Sequence, residues 1–367
     1  MYNEVATALE IQDYSTAIRL LKPLLTSDPD NPWVQYYAAC IHEARGKKGY
    51  ALKCYRQLLP QTTHPKLMQQ LRQGITRLEA LEQQHRAARL EKALAAPDGM
   101  QPGVLILKPI ATEHKQLAAQ RFAKIFKLDA YTARLQLPSR GWRLYRTGKL
   151  GELRLYSKDL TKAQIPHFYA SLGAIAASEV YNVNYFQFAQ PQVTARCQNE
   201  QGQVGSMQFD WSEVSHRVEG RVPWLESVFT WDAKNQFQRK MQTQDYVHIC
   251  DLHLPSRKAV LRLCDRNYQF QQGISLSPEP TSPNRETVSQ NWQKLNQFLD
   301  AHLPHIPIAQ DFNLFAETAF GFQEVLSRIP SRLDIKRNEP NLWDAAFQLY
   351  SHLVLSQSYS NFNTRKE

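Results

Sequence analysis

The chain has 367 residues, 43% of them hydrophobic and 11% aromatic, with 14 glycines and 20 prolines. That composition supplies apolar surface for real cores and excludes global disorder, collagen-like repeats and low complexity, and the length predicts roughly two to four domains. Forty-four basic against 34 acidic residues leave a formal charge of +10, which bears on partners and solubility and leaves the fold open.

Taken in chain order, the first twenty residues interrupt their apolar positions with Glu4, Glu10 and Asp13, which is no pattern for a signal peptide. Residues 1–95 read as helices throughout. Apolar residues from Tyr14 through Ala17, Leu21 and Leu24 follow helical spacing, and Asp28-Pro29 stops the run. Asn31 is placed to cap the next helix, with Pro32 in its first turn. That helix runs from Trp33 to Ala44, breaks at Arg45-Gly46-Lys47-Lys48-Gly49, and a second pattern resumes from Tyr50 to Pro60.

The order Gln12-Asp13-Tyr14, Ala17, Leu21, Leu24, Asp28-Pro29, then Trp33, Tyr36, Ala51 and Tyr55 resembles tetratricopeptide repeats. The second repeat departs from the pattern: its inter-helix turn is about two residues too long, and no Gly stands at its small position. The resemblance covers about the first quarter of the chain and implies helical hairpins stacked around a partner-binding groove. Asn3, Gln35, Tyr36 and Lys53 stand at positions where such repeats contact peptides. The whole-chain texture, including Gln244 to Pro255 and Trp343 to Tyr350, is similar in style to uncharacterised multi-domain repeat proteins of cyanobacteria.

Residues 96–103, rich in Pro and Gly, read as a linker. Residues 104–172 read as a small α+β module. It starts with a strand at Val104–Leu107, then an amphipathic helix from Glu113 to Phe126 and a helical turn from Asp129 to Leu135. Strands are expected at Trp142–Tyr145 and Leu153–Tyr156, and a helix from Ser157 to Ile165. From 173 to 305 the texture is that of short strands with a closing helix. Strand segments lie at 180–188, 192–197, 205–211, 224–231, 236–241, 246–252, 259–264 and 268–270, with Asp232–Asn235 as a hairpin loop. Strands at this spacing predict an antiparallel barrel or sandwich. After a Ser/Pro loop at Ser275–Pro283, Glu286 to Leu303 forms the helix, with Trp292, Leu295 and Leu299 on one stripe. The order of elements is similar to a pleckstrin-homology-like barrel. A C-terminal helical extension, 306–367, adds helices at Phe312–Leu326 and Trp343–Leu355 whose aromatic faces should pack on the barrel. The expected fold class is therefore multidomain α+β.

The charge is not spread evenly. Residues 101–165 hold 13 basic against 4 acidic side chains, a net of +9, whereas residues 166–367 are at −2. The densest run gives a basic docking surface of Arg140, Arg143, Tyr145, Arg146, Lys149 and Arg154. On a strand, Trp142 and Leu144 face one way, Arg143 and Tyr145 the other. Arginines interleaved with aromatics suit an acidic protein or an anionic head group, and equally nucleic acid, through phosphate contacts and ring stacking.

Among chemical clusters, Tyr246–Leu254 contains His248, Cys250, Asp251 and His253. His248 and Cys250 share one strand face, Asp251 and His253 the other. Two ligands at such spacing need more from elsewhere, and His216 is the one contributor in view, so His248, Asp251 and His253 are weak metal candidates set against ordinary packing. The five cysteines form no CxxC. No nucleophile elbow, zinc-protease motif, phosphate-binding loop or dinucleotide fingerprint is present, and no run of 18 apolar residues predicts a membrane span. The sequence thus reads as a cytoplasmic, non-enzymatic adaptor or assembly factor. It needs no cofactor, takes a protein partner in its helical groove and docks another, acidic one on its basic surface. Nucleic acid binding through the basic module is the alternative.

Overall fold

The structure is a computed structural model. It describes every residue except 1, 177, 191, 232–236, 277–285, 334, 336–340 and 365–367, and only the backbone of 176, 225–231, 237–242 and 358–364. The expected hairpin loop at Asp232–Asn235 and most of the Ser275–Pro283 loop lie outside the described residues. The chain divides into two compact units, Met1–Lys92 and Ala93–Glu367.

The first unit is built from helices α1 (Tyr2–Glu10), α2 (Tyr14–Ser27), α3 (Pro32–Ala44), α4 (Lys48–Leu58) and the first part of α5 (Pro65–Leu94). Its stops and starts follow local chemistry. Asp13 accepts a hydrogen bond from Thr16 N to open α2, and Asn31 accepts from Trp33 N to open α3 with Pro32 at its first position. Gly46, at φ +77°, makes the left-handed turn between α3 and α4. Tyr2 at the start of α1 donates to Asp28 after the end of α2, so these two helices run antiparallel. Ala8, Ala17, Leu21, Val34 and Ile41 form one core cluster; Ala51, Tyr55, Leu58, Leu67 and Leu71 form the next. Gly74 lets α5 meet the Tyr55 ring: a Cβ there would stand 2.9 Å from it.

The second unit begins with turns that tie residues 98–101 to residues 150–154. Leu150 N donates to Gln101 O, Gly151 N donates to Gly99 O, and Asp98 pairs with Arg154. Next comes a three-stranded sheet, with β1 (Pro102–Leu107) between β2 (Arg143–Lys149) and β3 (His167–Ser171), both antiparallel to it. Helices α6 (Thr112–Phe126), α7 (Ala130–Gln136) and α8 (Leu150–Lys162) cover one face of it, and α9 (Leu172–Ala176) comes directly after β3. Along β1 the side chains alternate as a strand requires. Leu105 and Leu107 pack under the helices, and Val104 and Ile106 pack on the opposite side.

The large sheet has seven strands: β4 (Glu179–Phe188), β5 (Val193–Gln198), β6 (Val204–Phe209), β7 (His216–Trp231), β8 (Phe237–Leu254), β9 (Ala259–Cys264) and β10 (Ile308–Ala309). Helix α10 (Val288–His302) precedes β10, and α11 (Phe312–Ala319), α12 (Gln323–Leu326) and α13 (Leu342–Thr364) come after it. The strand order β10-β7-β8-β9-β4-β5-β6 is open-ended. Of the expected antiparallel barrel or sandwich, the closed barrel is therefore corrected to an open sheet. It is also mixed, because β4 runs parallel to β9 and β10 parallel to β7. Helices and the small sheet take the place of closure. Trp292, Leu295 and Leu299 of α10 cover one face, against Phe186, Leu252 and Leu261. The other face buries Val218, Val222, Val247 and Ile249 with Phe312, Phe315 and Phe347, and with Val104, Ile106, Leu144 and Phe168 of the small sheet. The two sheets thus share one core.

Several local expectations change: the strands expected at 236–241 and 246–252 are one strand, β8, and the helix expected at Phe312–Leu326 is divided into α11 and α12. Leu153–Tyr156 is helix, part of α8, because Leu150, Leu153 and Leu160 bury one helical stripe across thirteen residues. Tyr268–Phe270 forms no strand. Its Tyr268 hydroxyl accepts from Phe186 N and Gln269 N donates to Asn184 O, so the segment is tied to β4 without entering the ladder.

Candidate functional site

Helices α1, α3 and α5 of the first unit, with Tyr14 at the start of α2 and Lys48 at the start of α4, line a groove of about 940 Å³, at the upper end of the size range of ligand sites. Side chains three and four positions apart on a helix share a face, and on α3 that face is Trp33, Tyr36, Tyr37, Cys40 and Glu43. Its aromatic floor is continuous. Trp33 lies 5.8 Å from Tyr37 and 5.4 Å from the His64 ring, and Tyr36 lies 5.8 Å from Tyr55.

A polar clasp holds one end. Tyr55 Oη donates to Glu43 Oε2 at 2.8 Å and lies 3.3 Å from Cys40 Sγ. Arg77 reaches the same carboxylate from α5 through Nε at 3.0 Å and Nη2 at 2.9 Å. Burial, with Cys40 and Glu43 alongside, pushes the Tyr36 and Tyr55 phenols far up, so both stay protonated. Burial also raises the Cys40 thiol, outweighing its hydrogen bonds from Tyr55 and Tyr36. Cys40 is thereby a poor nucleophile.

Of the four groove residues expected from sequence, Asn3 and Tyr36 line the groove. Gln35 turns its amide to Pro29 O at 3.1 Å, and Lys53 stands exposed on α4; neither lines it. Among the lining residues not anticipated are Cys40, Glu43 and the α5 contributors Lys66, Gln70 and Arg77. The signal for the α3 pair was the continuation of the Tyr36 stripe by one and two turns.

The basic set is dispersed. Tyr145 is internal, edge-on to Phe122 at 4.9 Å and to Phe126 at 4.8 Å under the helices. Arg143 donates to Leu135 O at 3.3 Å. Arg146 pairs with Glu152 at 3.0 Å and lies over the Tyr156 ring at 4.8 Å. Arg154 pairs with Asp98 at 2.6 Å. Arg140 and Lys149 are exposed. The strand alternation holds, with Leu144 on one side and Tyr145 on the other, and both sides are covered. The edge of β2 is covered too, since Leu144 N donates to Thr318 Oγ1 of α11 at 3.1 Å.

On β8 the weak metal candidates are bound to protein partners. Asp251 receives a bidentate pair from Arg262, at 2.8 and 2.7 Å, and a 2.5 Å bond from Ser351 Oγ. His253 Nε2 lies 3.0 Å from Ser351 Oγ, which makes it the donor there because the Ser351 proton goes to Asp251. His248 is on the opposite face, bonded to Asp265 at 3.0 Å. His216 stands opposite His253 in the β7–β8 register. Burial pushes the Cys250 thiol up to about 12. Among the described residues no three His, Cys, Asp or Glu side chains are arranged to hold a metal ion.

Among the described residues no helix is long and apolar enough to cross a membrane. No protein-family model, no curated protein and no solved structure matches the chain.

Proposed function

We propose that the chain is a non-enzymatic adaptor that holds a segment of a protein partner in the helical groove of its first unit, in the manner of tetratricopeptide repeats. The observation that supports this reading is the lining itself: α1, α3 and α5 contribute most of the side chains of one groove, and the first residues of α2 and α4, Tyr14 and Lys48, complete it. An aromatic floor with polar groups at fixed points fits an extended peptide, because apolar side chains find rings and the backbone finds donors and acceptors. Asn3 and Tyr36 are the contacts expected from sequence that this groove presents.

The test is affinity purification of the full chain from its native cell, with and without RNase. Protein partners should survive RNase and be lost, by about tenfold or more, from an Asn3→Arg/Tyr36→Ser variant whose melting is unchanged. Lys53→Ala and Gln35→Ala, outside the groove, serve as controls that should keep them. Partners retained by the groove variant would sink the reading. Partners lost on RNase treatment would favour nucleic acid instead.

A further inference from the structure

Much of the net charge of +9 in residues 101–165 sits, without an acidic partner, on the outer helices of the small sheet and the turn after α7. Its acidic side chains are largely engaged. Asp129 caps α7 through Thr132 N at 2.9 Å, Glu152 pairs with Arg146, and Asp159 interacts with other groups of the protein. Lys124 and Lys127 at the end of α6, Arg134 on α7, Arg140 after it, and Lys158 and Lys162 on α8 are all exposed. None of these six side chains makes a hydrogen bond or ion pair among the described residues.

The same layer exposes large apolar side chains. Leu117 of α6 is 52% exposed, and Tyr131 and Leu135 of α7 are 74% and 58% exposed. Tyr131, Arg134 and Leu135 are three and four positions apart, so they occupy one face of α7. Lys115 Nζ bonds Ser139 Oγ at 2.8 Å and Ile110 N bonds Pro138 O at 2.9 Å. These bonds bring the start of α6 to the end of α7, so Leu117 and Leu135 belong to the same end of one helical hairpin.

We infer that this α6–α7–α8 layer docks on an anionic lipid surface, with Leu117, Tyr131 and Leu135 entering the interface and the surrounding lysines and arginines meeting lipid phosphates. This goes beyond the groove reading and does not depend on it. Protruding leucines gain nothing from a phosphodiester backbone, whereas a bilayer interface takes leucine at the acyl boundary and tyrosine among head groups. The cations sit on three helices and a loop in no fixed paired geometry. That suits a fluid, negatively charged surface, where each contributes separately.

The test is cosedimentation of the full chain with vesicles of 3:1 phosphatidylcholine to phosphatidylserine, against vesicles of phosphatidylcholine alone. Binding should require the serine lipid and weaken with salt. Lys124→Gln/Lys127→Gln/Arg134→Gln should lower the partition coefficient about a hundredfold. Leu117→Ser/Leu135→Ser, with charge unchanged, should lower it about tenfold. All five positions are exposed, and unchanged melting curves verify that folding is intact. No retention on the serine-lipid vesicles overturns the inference. So does retention indifferent to either variant, and so does tighter binding to poly(U) than to vesicles at the same salt, which would make nucleic acid the occupant. Loss of groove partners in the Asn3→Arg/Tyr36→Ser variant moves none of these readouts, so the two proposals fail separately.

Discussion

Arg262 and Asp251 face each other across β9 and β8 with no exposed side-chain surface on either. The guanidinium also donates to Gln348 Oε1 at 2.8 Å and to Arg332 O at 3.2 Å, and lies over the Phe347 ring at 5.2 Å. A buried pair of this kind contributes little net stability over an apolar replacement, because desolvation offsets the attraction, but losing one partner is costly. Arg262→Met should therefore destabilise the second unit by about 3–5 kcal/mol, and Arg262→Met/Asp251→Asn by less, since the stranded charge is then gone. Urea denaturation of both variants decides it. A double variant less stable than the single would be inconsistent with a stranded charge as the cause. At this scale the sequence was least legible: Asp251 reads as a weak metal candidate and Arg262 carries no signal of its own, and only the cross-strand register shows them meeting.

Helix α13 is fixed to the large sheet through polar as well as apolar side chains. Ser351 bridges Asp251 and His253 of β8, and Gln348 bridges Arg262 and His352. Burial holds His253 down to about 3 although Asp251 opposes it, and burial with Arg262 nearby holds His352 down to about 4. Both imidazoles are neutral in the folded protein and ordinary in the unfolded chain, where they protonate near 6.5. Between those values the unfolded chain binds protons that the folded one does not. Stability is thus full above about pH 6.5 and is lost as pH falls toward 4, by up to about 1.4 kcal/mol per pH unit for each histidine. The urea midpoint of the second unit should drop between pH 7 and 4.5, and His253→Leu/His352→Leu should flatten that slope; an equal slope in the variant would assign the effect elsewhere. The element itself was readable, since Trp343–Leu355 has an aromatic face at helical spacing. Helix α8 was misread because Leu153-Arg-Leu-Tyr156 alternates like a strand over four residues. The helical period shows only once Leu150 and Leu160 are counted with it.

At the scale of the whole molecule, the periodicity of the first unit and the alternation of the second assign most elements correctly, but which apolar face meets which is a nonlocal matter. Val104 and Ile106 mark a strand; nothing near them in sequence announces that their face is shared with Ile249 and Phe347. A barrel or sandwich was the natural reading because seven or more strands with inward apolar residues must hide them. The helices α10, α11 and α13 hide them instead, and the sheet stays open. Each unit has its own core, so two unfolding transitions are expected in urea for the full chain. Tyr55→Ala should lower the first unit's transition by about 3–5 kcal/mol, since it empties a site packed on Gly74 and releases the hydrogen bond to Glu43. Arg262→Met should lower only the other, and acid should act on that same transition because His253 and His352 both belong to it. Hydrogen exchange read by mass spectrometry on peptides from α3 and from β8 distinguishes the two transitions without a reporter. Opening energies on α3 that fall with Arg262→Met as far as those on β8 would show one cooperative unit in place of two.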